Sequence, residues 1–557
     1  MSKFRNQLLQ IQIKNYQHIL RLIQASLGPV KRWFSKYANE YNKELLNYGA
    51  ISNPSELFTR VGSSDIVYHG DYHTLKQSQK AVLRILREIA KKRDIILCLE
   101  TFYGDDQKYL DQYLNKKISE KEFLKVIDYY KKWGYNFQYW KKIIKFCRKQ
   151  RIPILGINSE QNDKTNPVKE RDIFSAKIIG KAIIKYPENL IYVVDGDYHI
   201  APSHLPLEVE KKLDQFDIKV KRTIIYQNSA SLYWKLANEG REDEDVIKIN
   251  SDSFCVMNAI PTNKLQSYLN WLEYSEDAYI PETFKWDERQ NPDKIHSIHN
   301  IVKTITSVMQ IPYPEEAIRH LSIYYPDNLN FINILAENKN LTKMIPLVKK
   351  KIKNNEGFLL EYDEEISKYI IYLTNSNLAM AAEEATHFIN VACRGNLQGK
   401  ISLFDDFYRN LLTECLGFYG SKLIVPKRKV DKLSNLRRFL GKFKKQKVHK
   451  KLEYKLNIAR LILKHHYLEK KVAGKKEFEK KFPQLYANKE GLNKIVSTQL
   501  GYILGQKLFT AVKKGKFPLE EVTELFYNPL NKTNQAFQIY LMFNVRLEKL
   551  KIQHKKF

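Results

Sequence analysis

Two copies of one short motif carry the side chains best suited to chemistry in this chain. The copies are Gly70-Asp71-Tyr72-His73 and Gly196-Asp197-Tyr198-His199. A histidine beside a carboxylate can take a proton from water, and histidines with carboxylates can also hold a metal ion that activates water. A single Gly-x-x-His sequence is weak support for a site, because the glycine often serves only to make a turn. The duplication, together with Glu100, predicts a site for acid–base or metal chemistry.

Each of these candidates follows a short apolar run that is typical of a buried parallel strand. The runs are residues 66–68, 94–99 and 190–194. Parallel strands of one sheet end on the same side, where ligands of open α/β sheets bind, and neighbouring strands lie about 4.8 Å apart. We therefore expect these side chains to line or back one pocket: His73, Glu100, His199, Asp71 and Asp197. The alternative for His199 is that it only caps the turn before Pro202.

Strand and helix patterns alternate between residues 65 and 260, which predicts an α/β domain with a parallel-sheet core and flanking helices. The expected strands are 65–69, 94–99, 152–157, 190–195, 222–226 and 254–257, and the expected helices are 77–91, 105–150, 171–186 and 207–216. Arg171 and Asp172 begin the third of these helices and are expected to orient the site.

Beyond Pro261 the strand patterns fade and helical periods dominate. We expect three parts: an amphipathic helical segment over 1–50, the α/β domain over 51–260, and a mainly α-helical C-terminal domain over 261–557. The first segment is expected to pack on the protein, the alternative being an anionic membrane surface.

The composition limits the class of protein. With 557 residues the chain is too long for one core. Its five cysteines form no C-x-x-C pair, which favours reduced thiols over a disulfide framework or a zinc site. We find neither a secretory signal pattern nor an apolar run long enough to span a membrane. A cytoplasmic location is therefore expected, with peripheral membrane attachment as the alternative.

The chain is strongly basic, with 93 Lys and Arg against 62 Asp and Glu and a net charge of +31. The excess is concentrated in residues 427–476, which we call the basic segment. It contains few aromatic residues, so base stacking is not indicated, but it can bind phosphates of nucleic acid or anionic lipid. A solvated helix–linker–helix segment without a partner is the alternative.

A second combination of ligand-type residues lies in the helical region, at Glu383-Glu384-Ala385-Thr386-His387. Glu384 and His387 have the i, i+3 spacing used by carboxylate–histidine metal bundles. Such bundles need a second copy of the motif, and the sequence contains none that we can identify. A capped or paired polar cluster is the favoured interpretation.

The motifs of residues 65–210 resemble the ChaN-like family, whose superfamily also holds the Tiki/TraB metalloproteases and the erythromycin esterases. The matching stretches, in the family's order, are Gly70–His73, Leu97–Glu100, Gln107–Leu114, Trp133–Tyr135, Ile152–Asn158, Glu170–Asp172 and Gly196–His199. Asp71 stands where the family usually has Glu. Gln77 and Gln79 stand where it has further histidines. The helical region after residue 261 is not covered.

The resemblance implies haem- or iron-related ligand binding at the His/Glu/Asp pocket. A haem site would use aromatic walls, with a tyrosine or histidine as iron ligand. The tyrosines nearest the strand ends are Tyr72, Tyr103 and Tyr198. The segment 102–140 is rich in aromatic residues, which favours a helical hairpin with an aromatic core, or else a lid that stacks on a flat ligand.

The alternative that the resemblance implies is a metal-dependent hydrolase of the Tiki/TraB or erythromycin-esterase type, with His73, Glu100 and His199 as catalytic residues. Its cofactor would be a divalent metal ion instead of haem, held by His73, Glu100, His199, Asp71 and Asp197. A third interpretation is a non-catalytic scaffold that docks on a polyanion through the basic segment. The substrate and the oligomeric state are left open.

The basic segment generates a direct prediction. Neutralising Lys442, Lys444, Lys445 and Lys447 to Gln should lower the salt concentration at which the protein elutes from heparin, because fewer counterions are displaced. The matched control replaces four lysines outside the segment. Unchanged retention of the first variant would show that the segment has no such role.

Overall fold

The computed structural model describes residues 3–27, 32–160, 166–277, 292–324, 331–353, 356–363, 367–373, 378–394, 401–443, 448–472, 476–486 and 491–550. Contacts divide the chain into two compact units. One comprises Ile13–Thr283, and the other comprises Phe284–Lys555 together with Met1–Gln12. The first unit holds an α/β sheet and the second is mainly helical, which confirms the predicted fold class. The boundaries proposed at residues 50 and 260 stay predictions.

An eight-stranded sheet forms the centre of the first unit, in the order β1-β7-β8-β6-β2-β5-β3-β4. The strands are β1 Ala50–Ile51, β2 Ile66–Asp71, β3 Ile95–Tyr103, β4 Ile154–Asn158, β5 Leu190–Gly196, β6 Arg222–Gln227, β7 Val246–Lys248 and β8 Ser253–Val256. The six strands from β8 to β4 pair in parallel. An antiparallel edge of β1 and β7 was not predicted, because strands of two and three residues leave no periodic pattern.

Helices cover both faces of this sheet. Side chains alternate along each strand, so that Val67, Leu97 and Val194 enter one core and Ile66, Ile96 and Val193 enter the other. The helices of the first part of the chain are Lys3–Leu27, Arg32–Lys43, Pro54–Gly62, Lys76–Ile89, Gln107–Leu114, Glu120–Val126, Tyr129–Lys132, Gln138–Gln150, Pro167–Lys185, Leu205–Asp214, Ala230–Asn238 and Pro261–Asp277. Short 3-10 turns follow β3 at Gly104–Asp106 and β5 at Asp197–Ile200. The single helical stretch expected over 105–150 is in fact four helices and a turn.

The second unit is mainly helical but also contains a small sheet. Its helices are Pro292–Met309, Glu315–Arg319, Phe331–Glu337, Lys339–Thr342, Ile345–Lys353, Leu378–Arg394, Leu403–Ile424, Leu433–Lys442, Lys450–Val472, Lys476–Tyr486, Leu492–Lys513, Leu519–Tyr527 and Gln535–Lys549. The strands are β9 Leu321–Tyr324, β10 Phe358–Asp363 and β11 Ser367–Tyr372. These three strands were not predicted: β10 and β11 form an antiparallel hairpin, and β9 pairs in parallel with β11 through aromatic and β-branched residues.

The structure bears on two predictions about the surface of the protein, the absence of membrane-spanning helices and the exposure of the basic segment. None of the helices in the ranges given above has the length and apolarity needed to cross a membrane. In the basic segment, helix Leu433–Lys442 has no buried residue among those described. Residues 444–447 and 473–475 of that segment, with Lys444, Lys445 and Lys447, lie outside the described residues.

A close backbone approach at Gly156 supports the end of β3 that carries Glu100. The pairing of β3 with β4 shifts register between Leu99 and Tyr103. A Cβ at position 156 would lie 2.6 Å from the carbonyl oxygen of Tyr103 and 2.9 Å from that of Phe102. Only glycine lets the two strands pass at this distance.

We therefore predict that Gly156→Ala destabilises the α/β unit by about 1–3 kcal/mol, the usual cost of forcing extra atoms into a packed site. Urea denaturation followed by circular dichroism measures it. Gly62→Ala is the matched control, since a Cβ there meets only the Ile89 side chain at 3.9 Å. Equal stability of the two variants would contradict the prediction.

Candidate functional site

The carboxyl ends of β2, β3 and β5 border a cavity of about 350 Å³. All eight residues that we predicted from the sequence as site residues line this cavity: Asp71, Tyr72, His73, Glu100, Tyr103, Asp197, Tyr198 and His199. They meet because β5 lies between β2 and β3, so three neighbouring strands end together. The structure shows that these residues share one pocket, while their roles stay predictions.

The carboxylate of Glu100 is the centre of the polar contacts in the pocket, and its side chain is only 5% exposed. Its Oε2 accepts a hydrogen bond from the backbone N–H of Gly196 at 2.8 Å and lies 3.6 Å from Nε2 of His73. Its Oε1 accepts from Arg171 at 3.2 Å and lies 3.9 Å from Nε2 of His199. Both imidazoles therefore turn Nε2 toward the same carboxylate.

His73 is held from its other ring nitrogen. Nδ1 lies 3.0 Å from Oδ2 of Asp71, whose Oδ1 accepts a hydrogen bond from Gln79 at 2.6 Å. If Nδ1 carries the proton of the neutral ring, Nε2 is free to act as a base. The ring centroids of Trp133 and Tyr135 lie 4.7 and 4.9 Å away. At 21% side-chain exposure, His73 remains accessible to a ligand in the pocket.

His199 is more buried and more constrained. Its Nδ1 lies 2.5 Å from Oδ1 of Asp172, and the Tyr37 hydroxyl donates to the other oxygen of that carboxylate at 2.7 Å. Its Nε2 lies 3.1 Å from a guanidinium nitrogen of Arg171. Tyr37 was missed in the sequence, because it belongs to helix Arg32–Lys43, far from the motifs and without a motif of its own.

A second carboxyl group, that of Asp195 in β5, is hydrogen-bonded to Glu100. Burial raises the pKa of Asp195 well above its usual value, and the charge of Glu100 and this hydrogen bond raise it further. A protonated Asp195 can donate to Glu100, whereas two adjacent carboxylates would repel each other. Asp195 was also missed, because in the sequence it stands inside an apolar run and not after it.

The two main groups of the pocket have shifted pKa values. Burial alone would raise the pKa of Glu100, but His73, Arg171 and His199 outweigh it and the pKa is lowered. Burial alone would lower the pKa of His73, but its bond to Asp71 and the charges of Glu100 and Asp71 outweigh it and the pKa is raised. Glu100 is therefore anionic, and His73 takes up a proton at a higher pH than an ordinary histidine.

Asp197 stands apart from this set of contacts. Its Oδ2 pairs with Lys264 at 2.6 Å, from helix Pro261–Asp277. The other oxygen lies over Gly70, where a Cβ would come within 2.8 Å of it. The glycine of the first motif thus makes room for the carboxylate of the second.

The three nominated tyrosines are engaged by other groups. Lys264 lies over the ring of Tyr72, and Tyr103 donates to the carbonyl oxygen of Lys132 at 3.3 Å. Tyr198 packs edge-on against Phe34. Burial raises the pKa of all three phenols, which disfavours the phenolate form that binds ferric iron.

The donor set fits the two implied cofactors unequally. Glu100, Asp195 and His199 offer ligand atoms within 4.8 Å of one another, as a metal ion requires. Arg171, however, already contacts the two atoms that would face the ion, Oε1 of Glu100 and Nε2 of His199, and supplies the compensating cation. A divalent metal therefore fits this donor set poorly. For a haem iron, Nε2 of His73 is a better ligand atom than the hydroxyl of any of the three tyrosines.

We predict that the pKa of His73 lies above 6.5, the ordinary value for histidine, and that Asp71→Asn lowers it by removing a hydrogen-bonded negative charge. NMR titration of ¹³C-labelled histidines measures both values, with His73→Gln assigning the signal. Asp214→Asn, at an exposed position, should leave the His73 titration unchanged. A wild-type value at or below 6.5 would contradict the prediction.

Comparison with known proteins agrees with the motifs. Residues 57–176 match the family model described as haem-binding uptake, Tiki superfamily, ChaN. Among solved structures, one described as cofacial heme binding to ChaN of Campylobacter jejuni is 13% identical, with a TM-score of 0.25, over 32% of this chain and 87% of that chain. No curated protein matches. Residues 57–176 of this chain are thus similar in sequence to the family described as haem-binding uptake, Tiki superfamily, ChaN.

Proposed function

We propose that the pocket is a hydrolytic site in which His73 acts as the general base, without a metal ion. One arrangement carries the proposal. Each imidazole has a carboxylate at Nδ1, Asp71 for His73 and Asp172 for His199, and turns Nε2 toward Glu100. A carboxylate at Nδ1 fixes the tautomer that leaves Nε2 basic. Of the two, His73 is the more accessible.

The proposed step is a proton transfer from water. Nε2 of neutral His73 takes a proton from a water molecule as that water attacks a carbonyl carbon of the substrate. The imidazolium that forms is stabilised by Glu100 at 3.6 Å and by Asp71 at 3.0 Å. When the bond between the carbonyl carbon and the leaving group breaks, His73 gives the same proton to the leaving group.

Arg171 is the group best placed to stabilise the negative charge on the carbonyl oxygen. Glu100 and His199 hold two of its nitrogens, at 3.2 and 3.1 Å. His199 in the tautomer that donates to Asp172 can only accept from Arg171, so it acts as a positioning residue for the guanidinium. A fixed cation costs no reorganisation when charge develops in the transition state.

The walls of the pocket indicate a small substrate with a flat apolar part. Trp133, Tyr135 and Tyr268 line the cavity beside His73. A volume of about 350 Å³ lies at the lower end of the range for small-molecule sites.

We predict that the full-length protein hydrolyses a p-nitrophenyl ester of a short-chain acid, and that His73→Ala lowers kcat/KM by roughly 10²–10⁴-fold, the usual contribution of a general base. Since His73 must be neutral to act, kcat/KM should rise with pH through a midpoint above 6.5. EDTA should leave the rate unchanged. His18→Ala, at an exposed position, is the matched control.

Equal rates for His73→Ala and His18→Ala, or loss of activity in EDTA, would contradict this proposal. If the protein hydrolyses none of the esters but the pKa of His73 is raised, the described contacts of His73 are supported and the hydrolytic function is contradicted.

Binding of haem, or of a similar flat ligand that contains iron, is the second candidate function, and the aromatic surroundings of His73 favour it. The ring of Trp271 stacks on Tyr135 at 4.8 Å, and Tyr135 lies against His73. His73 would hold the iron, and the rings would contact the porphyrin. A hemin titration separates the two candidates, because a Soret shift that His73→Ala abolishes favours haem.

We also propose that the basic segment binds a polyanion, because of its charge. Helix Leu433–Lys442 supports it, since its described residues are not buried. The heparin measurement given above tests it independently of the pocket.

A further inference from the structure

A second group of ligand-type side chains lies in the helical unit. Glu383 and His387 are one helical turn apart on helix Leu378–Arg394, and Glu414 comes from the adjacent helix Leu403–Ile424. The three residues offer ligand atoms that all lie within 4.8 Å of one another. The sequence contains one identifiable Glu-x-x-His motif. In the structure, the single carboxylate of Glu414 stands beside this motif in place of a second copy.

The orientation of His387 is that of a metal-binding histidine. Its Nδ1 lies 3.2 Å from Oε2 of Glu384. Its Nε2 is buried, has no hydrogen-bond partner among the described residues, and lies 4.0 Å from Oε2 of Glu414. Histidines that bind metals typically donate one ring N–H to a carboxylate and bind the ion through the other nitrogen. An unpaired buried nitrogen is otherwise costly.

Gly417 allows the imidazole of His387 to lie directly against helix Leu403–Ile424. A Cβ at position 417 would collide with Nε2 of His387 and lie 2.9 Å from its Cδ2. Gly417 lies one turn from Glu414 on the same helix, so this close approach brings the imidazole to a carboxylate.

The charge of the cluster also favours a cation. Glu383, Glu384 and Glu414 face one imidazole, and Arg428 pairs with Oε2 of Glu383 at 2.7 Å. This arginine contacts one of the three ligand residues and leaves Nε2 of His387 without a partner among the described residues, whereas Arg171 contacts both Glu100 and His199 in the first pocket.

The geometry points to a binding site for one divalent first-row transition metal ion, held by His387, Glu383 and Glu414 and cross-linking two helices of the second unit. One imidazole and two carboxylates suit Zn²⁺, Mn²⁺ or Fe²⁺. Glu384 is a positioning residue that fixes the imidazole from Nδ1. The site is separate from the pocket around Glu100 and does not depend on the function proposed there.

The test uses the full-length protein, stripped with EDTA and titrated with Zn²⁺ by calorimetry, with metal content measured after desalting. We expect one Zn²⁺ per chain. Glu414→Gln and Gly417→Ala should each lose it, and Glu384→Gln should weaken binding about 10–100-fold, the usual effect of removing such a positioning carboxylate. A Co²⁺ absorption spectrum reports the ligand set directly.

Two matched controls make the result decisive. Glu524→Gln changes an exposed glutamate of the same unit, and His199→Ala removes the histidine of the other candidate metal group. Both should retain Zn²⁺. Circular dichroism shows whether each variant folds, and Glu414→Gln, which is nearly isosteric, keeps the test valid if Gly417→Ala does not. No Zn²⁺ bound by the wild type, or equal binding by wild type and Glu414→Gln, would overturn the proposal.

Discussion

The buried negative charge of Glu100 is the constraint on which the site depends. A carboxylate with 5% of its side chain exposed cannot be stabilised by water, so protein groups must compensate it. Arg171, the backbone N–H of Gly196, and two imidazoles supply that compensation. The hydrogen bond with a protonated Asp195 follows from the same constraint, since a second ionised carboxylate beside Glu100 would offset this compensation. Each of these groups is thereby fixed relative to the others, which is what an acid–base site needs.

The sheet order explains how one carboxylate can reach so many partners. β5 lies between β2 and β3, so the ends that carry His73, Glu100 and Gly196 are neighbours in space although they are far apart in sequence. Helix Pro167–Lys185 then brings Arg171 and Asp172 to the same edge at its first turns. His73 and His199 differ as a result: the first contacts aromatic rings of the pocket, and the second is enclosed by Arg171 and Asp172.

Much of this pocket could be predicted from the sequence, because it rests on strand ends. An apolar run followed by Gly and a polar residue predicts both the strand and the position of the side chain. Asp195 was not predictable in this way, since it belongs to the apolar run itself. Tyr37 and Lys264 come from helices before and after the motifs, and no local pattern relates them to His199 or Asp197. Glu414 is a comparable case in the helical unit, because the approach of two helices is not encoded in either one. The small sheet of β9–β11 was missed because short strands among helices resemble helical turns in their apolar content.

Within this pair of buried carboxyl groups, Glu100 is the ionised partner and Asp195 the protonated one. Selective ¹³C labelling of the Asp and Glu carboxyl groups, with Glu100→Gln and Asp195→Asn to assign the two signals, tests this directly by NMR titration. We expect Glu100 to stay ionised through the ordinary range of glutamate, about pH 4.3, and Asp195 to stay protonated well above the ordinary range of aspartate, about pH 3.9. A Glu100 signal that titrates at or above its ordinary value, or an Asp195 signal that is ionised throughout, would contradict it.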